Sequence, residues 1–131
     1  MQSTGIGKAF DANCRKKPLL SVIIPVYNEV GTVARLLDRV LAVATSKQVI
    51  VVEDGSTDGT AAILAKYEEH PQVILLRHAH NRGKGAAIRT GLTHARGRFT
   101  LVQDADLEYD PADYPLVNPR FYANSILQEP Q

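Results

Sequence analysis

Along this chain, short apolar runs alternate with stretches whose apolar residues recur at helical spacing. Leu19 to Ile24 is apolar and rich in β-branched residues, and Pro25 closes it, which predicts a buried strand. Val30, Val33, Leu36, Leu37, Val40 and Leu41 then mark one face of a helix over 30–43. Val49 to Val52 predicts a second strand, and "DGSTDG" a turn. Asp58 or Ser56 is the expected cap of a helix running through Ala61, Ala62, Ile63, Leu64 and Tyr67. "PQVILLR" reads as a third strand opened by Pro71, "GAAIRTGLTHA" as a third helix, and "RFTLVQ" as a fourth strand. Gly91 inside the third helix is either a tolerated cost or a close packing contact.

The strands are apolar on both faces instead of alternating, as a sheet covered by helices on each side requires. The expected fold is therefore α/β, a mostly parallel sheet with helices on both faces. Right-handed crossovers place the strand ends near Pro25, Glu53 and Gln103 along one edge, the edge at which open sheets bind ligands. Residues 1–18 read as an N-terminal tail, 19–117 as the folded domain, and 118–131 as an irregular end in which Ile126 and Leu127 add a little helix or strand packing.

Composition narrows the class. At 131 residues, 44% hydrophobic and 22% charged, the chain is a single globular domain with a real core. A net charge of +1 argues against a nucleic-acid binder held by bulk electrostatics. No apolar run approaches the roughly 20 residues needed to span a bilayer, so this piece is expected to be soluble. The lone Cys14 excludes an intrachain disulfide and fits a reducing, cytoplasmic setting. Charge is unevenly placed: six Arg/Lys and no carboxylate from Arg77 to Arg98, then five carboxylates and no base from Asp104 to Asp113. A solvated surface produces such runs, and so does a site for a metal and a phosphorylated ligand.

"TLVQDADLEYDP" puts carboxylates where its strand should end. Asp104 and Asp106, two apart, can converge on one Mg²⁺ or Mn²⁺ whose shell a diphosphate completes, with Glu108 a possible third ligand. The alternative is a loop and helix cap ahead of "PADYPL". In "VVEDGSTDGT", Glu53 and Asp54 end a strand where a carboxylate can accept from a base edge or a ribose hydroxyl; an ordinary turn is the alternative. "HAHNRGKGAAIR" is not a P-loop. Gly83 and Gly85 would let a phosphate approach a helix start, assisted by Arg82 or Lys84, or would simply end a loop beside a solvated basic face. His78, His80 and His94 have no tight ligand spacing and read as loop or surface residues, and His70 as a helix terminus. In "PVYNE", Tyr27 could lie along a base or sugar, Asn28 cap the next helix, and Glu29 reach into the cleft.

Taken together, "SVIIPVYNE", "VVEDGSTDGT", "NRGKGAAIRTGLTHARG" and "TLVQDADLEYDP" closely resemble the family 2 glycosyltransferases, nearest the polyprenyl-phosphate (dolichol-phosphate) mannosyl- and glucosyltransferases. The likeness covers about Leu20 to Val117. It implies a Rossmann-like GT-A donor-binding domain, a nucleotide-diphosphate sugar donor (GDP-mannose or UDP-glucose), a polyprenyl phosphate acceptor, and inversion at the sugar carbon. It further implies that Pro25, Tyr27 and Glu29 line the nucleotide pocket and that Asp54 contacts the base. Asp106 would be the firmer metal ligand and Asp104 would contact the ribose or the metal, with Glu108 a further metal-side group, and Arg82 and Lys84 cations near the cleft. Glu53 stands where this branch often has Asp. The complete protein would act at the cytoplasmic face of a membrane. Relatives continue past the equivalent of Leu116 and Val117 with an acceptor half, so the expectation for this chain is donor binding with little or no turnover. Release of labelled sugar onto a polyprenyl phosphate measures this directly, and robust transfer would contradict it.

Overall fold

The computed structural model describes residues 18–105 and the backbone of 126–127. Four parallel strands, β1 (Leu20–Val26), β2 (Lys47–Glu53), β3 (Val73–Arg77) and β4 (Phe99–Val102), alternate with helices α1 (Val33–Ala42), α2 (Thr60–Ala65) and α3 (Lys84–Leu92). The two-residue strand β5 (Ile126–Leu127) pairs antiparallel with β4, which settles the role of that dipeptide as strand. The sheet order is β3-β2-β1-β4-β5. The predicted α/β class and mostly parallel sheet are what is observed.

The apolar runs form strands because both of their faces are covered. Leu20, Val22, Ile24 and Val26 of β1 join Val33, Leu36, Leu37 and Val40 of α1 and Leu64 of α2 in one core. The intervening Ile23 packs with Ile50, Val52 and Ala87 on the other face, under α3. Tyr67, just past α2, donates its hydroxyl to Asp38 of α1 at 2.8 Å and ties the two helices together.

Helix starts differ from the sequence expectation. Helix α1 begins at Val33, not Val30, because the chain from Tyr27 to Thr32 is held in a turn by bonds to the next loop. Asn28 does not cap it: its φ is +52°, and its Oδ1 accepts instead from the Thr57 N–H at 2.8 Å. The cap position of α2 is Gly59, while Asp58 reaches past it to accept from the Thr60 N–H.

Gly91 proves to be a packing contact. A Cβ there would lie 2.7 Å from Ile23 Cγ2, so the glycine lets α3 settle directly on β1. Replacing a helical glycine by alanine ordinarily gains about 1 kcal/mol. Overpacking a core costs about 1–3 kcal/mol, so Gly91→Ala is expected to lower the urea midpoint. A higher midpoint would show that Ile23 repacks freely.

Candidate functional site: four loops at the carboxyl edge of the sheet

Connections β1–β2 and β2–β3 run one way across the sheet, and α3 then carries the chain back past β1 to β4. Neighbouring strands β1 and β4 therefore send their following loops to opposite sides, the topological switch point at which open sheets form a ligand crevice. Tyr27 follows β1 and is 44% exposed there, with Pro25 and Glu29 partly exposed on either side. Asp104 follows β4.

The four loops are cross-bonded. Backbone N–H groups of Asn28, Glu29 and Val30 donate to Ser56 Oγ, Thr60 Oγ1 and Asp58 Oδ2, joining the β1 loop to the β2 loop. The Thr32 hydroxyl lies 3.0 Å from both Glu29 Oε1 and the Ala105 carbonyl, so the β1 loop also reaches the residue after Asp104. Glu53, buried, turns back to accept the Ser56 N–H at 2.6 Å.

Asp54 joins the β2 loop to the β3 loop. Its Oδ1 accepts from His78 Nδ1 at 2.7 Å and the Arg82 N–H at 2.9 Å; its Oδ2 accepts from the Gly83 N–H at 2.9 Å and Asn81 Nδ2 at 3.1 Å. A carboxylate has about four lone-pair sites, and here protein donors fill them all. The base contact that the resemblance implies for Asp54 thus meets oxygens already engaged, and at the helix start where Gly83 and Gly85 would admit a phosphate, the Arg82 and Gly83 N–H groups are bonded to Asp54. Gly55 permits the approach: its φ is +76°, and a Cβ would lie 2.5 Å from the backbone of His80 and Asn81.

Burial pushes the Asp54 pKa up, but the bonds from His78, Arg82 and Gly83 outweigh it and hold the carboxyl below its usual value. His78 is a correction to the sequence reading. Its side chain is only 5% exposed, bonded through Nδ1 to Asp54 and facing Thr90 Oγ1 with Nε2 at 2.9 Å. His80 and His94 are exposed as expected. Position offered a signal for His78: it follows the last residue of β3, as Asp54 follows β2.

Lys84 opens α3, and its ammonium lies 2.6 Å from Asp104 Oδ1. The two side chains are 60% and 28% exposed, so the pair adds at most about 1 kcal/mol to stability. What it shows is that this carboxylate attracts a cation at the crevice. Arg82 is exposed beside it. Asp106 and Glu108 lie outside the described residues, as do the tail and the irregular end. Among the described residues, no three His, Cys, Asp or Glu side chains form a ready metal site, and no helix is long and apolar enough to cross a membrane.

A parallel sheet with helices on both faces, and loops that meet where the strand order reverses, defines an α/β domain of the GT-A kind. Residues 21–125 match the Glycosyl transferase family 2, and the chain belongs to that family. It is 35% identical over 108 residues to a dolichyl-phosphate beta-glucosyltransferase of Trichomonas vaginalis, covering 75% of this chain and 33% of that protein. It is also 35% identical to the undecaprenyl-phosphate 4-deoxy-4-formamido-L-arabinose transferase of Edwardsiella ictaluri, covering 73% of this chain and 31% of that one. In structure it is similar to the mannosyltransferase PcManGT of Pyrobaculum calidifontis, solved with GDP-Man and Mn²⁺: TM-score 0.67, 29% identity, 82% of this chain and 38% of that one. The chain thus spans about a third of the curated relatives it matches.

Asp54→Asn is expected to destabilise the fold by about 2–4 kcal/mol at neutral pH, since an amide cannot accept from all four donors. The folded-state pKa of Asp54 lies below the unfolded one, so its contribution is complete above the unfolded value, about 4. It is lost as pH falls through the folded value. Urea unfolding at pH 7 and pH 3 should therefore show the gap between wild type and variant narrowing at the acid end.

Proposed function

We propose that this chain is the donor-binding part of a transferase that moves a hexose from GDP-mannose or UDP-glucose to a polyprenyl (dolichyl) phosphate with inversion. The observation that carries the reading is the Lys84–Asp104 contact at the β1/β4 switch point, in a chain of this family. Support for the acceptor class comes from relatives that are named for dolichyl- and undecaprenyl-phosphate transfer.

In this reading the nucleoside lies over the ends of β1 and β2, with exposed Tyr27 along the base or sugar and Pro25 and Glu29 beside it. Asp54 shapes that wall through the loop it holds. Asp104 is a hard oxygen donor already paired with a cation, which fits a Mg²⁺ or Mn²⁺ site; Asp106 supplies the second carboxylate, with Glu108 beyond it. When bound, such an ion neutralises charge developing on the leaving diphosphate. Lys84 and Arg82 bring positive charge to the same oxygens, Lys84 by leaving Asp104 for the diphosphate. A lipid phosphate is already an anion at neutral pH, so its attack on the far side of the sugar carbon requires no strong base from the chain. Such an acceptor requires contact with a membrane surface, in this reading at its cytoplasmic face.

Calorimetric titration with UDP-glucose and GDP-mannose, with and without Mn²⁺, tests this. Metal-dependent heat with one donor is the expected result; heat only with free triphosphates, or none with either sugar, would overturn it. Lys84→Met should weaken donor binding about tenfold, or about 1.4 kcal/mol. Asp106→Asn should abolish the metal dependence while leaving thermal unfolding nearly unchanged.

A further inference from the structure

The geometry points to His78 as a positioning residue: it fixes the basic loop, and through it the place of Lys84 opposite Asp104. This rests on the proposed function only for what the loop then binds.

Three elements meet on this ring. The His78 N–H donates to the Glu53 carbonyl at 2.9 Å, carrying the β2–β3 ladder one residue past the strands, so the backbone that bears the ring is anchored. From there Nδ1 reaches Asp54 on the β2 loop, and Nε2 reaches Thr90 on α3. Asp54 is ionised at neutral pH and only accepts, so Nδ1 carries a proton toward it. Thr90 presents a hydroxyl, which serves as donor or acceptor. Both ring nitrogens are thus used for holding, and the ring is shielded from solvent.

The loop that follows has little else to fix it. His80, Asn81 and Arg82 are exposed, and the loop is tied down by the Asn81 side chain and the Arg82 and Gly83 amides, all converging on Asp54. Lys84 is the next residue, and its ammonium bonds to Asp104. If His78 released Asp54, the donors left to the carboxylate would be Asn81, Arg82 and Gly83, all in the loop it holds, and the two amides that set the start of α3 would rest on an acceptor no longer tied to the end of β3. Where Lys84 meets the carboxyl end of β4 is then no longer defined.

Two near-isosteric replacements separate this role from general packing. The amide nitrogen of asparagine falls near the Nδ1 position, and that of glutamine near Nε2. His78→Asn therefore keeps a donor for Asp54 and loses Thr90; His78→Gln does the reverse. Hydrogen exchange at the Arg82 and Gly83 amides, with no ligand present, is the primary readout. Protection in His78→Asn should stay within about threefold of wild type, and in His78→Gln should fall at least tenfold. Binding of UDP-glucose and GDP-mannose with Mn²⁺ should follow the same order, although both variants lose thermal stability. Equal exchange in the two variants, or exchange that simply tracks the melting temperature, would overturn the role. Wild-type protein that binds neither sugar nucleotide, with the exchange pattern as expected, would remove the donor reading and leave the positioning role established.

Discussion

The structure depends on the requirement that a buried carboxylate have every lone pair filled. Asp54 is placed at the end of β2, deep in the loop layer, where an unpaired charge would cost several kcal/mol. The chain meets that requirement with donors drawn entirely from the connection between β3 and α3: a ring nitrogen, a side-chain amide and two backbone N–H groups. One charge thereby fixes the course of a six-residue loop, 78–83, most of whose residues are exposed. Gly55 belongs to the same arrangement, since only a residue without Cβ lets the loop pass so close to the turn that follows Asp54.

From this follows the site. The sheet order sets β1 beside β4 and splits their loops, creating the crevice. Topology alone would leave its walls loose. The bonds from the Tyr27–Thr32 segment to the Ser56–Thr60 turn, and from Thr32 to Ala105, join three of the walls, and the Asp54 cluster adds the fourth. Charges of opposite sign then face each other across the gap at Lys84 and Asp104. The chain belongs to glycosyltransferase family 2, and in the proposed function that gap is where a negatively charged leaving group meets cations, some of them held by carboxylates.

Much of this is legible in the sequence alone. The apolar runs predicted four strands, and their two-sided character predicted a covered parallel sheet. "DGSTDG" and "NRGKG" located the turns at its working edge, and Asp54, Lys84 and Asp104 all lie there. What failed was local. Asn28 was read as a helix cap because caps favour asparagine, yet its side chain found a better partner in a loop 29 residues away. His78 was set aside for lacking a ligand-like spacing to other histidines, while its partners, Asp54 and Thr90, are 24 and 12 residues distant.

By itself the sequence determined the class of fold and the edge at which its charged loops gather, because hydrophobic period and turn composition are local properties that survive without knowledge of neighbours. Only the tertiary structure decided what each polar side chain does there. A carboxylate, an imidazole or an amide can serve a ligand or the protein equally well, and the choice is made by which donors and acceptors the folded loops bring within about 3 Å. For Asp54 and His78 those partners are groups of the neighbouring loops and helix; for Asp104 the partner is the exposed ammonium of Lys84.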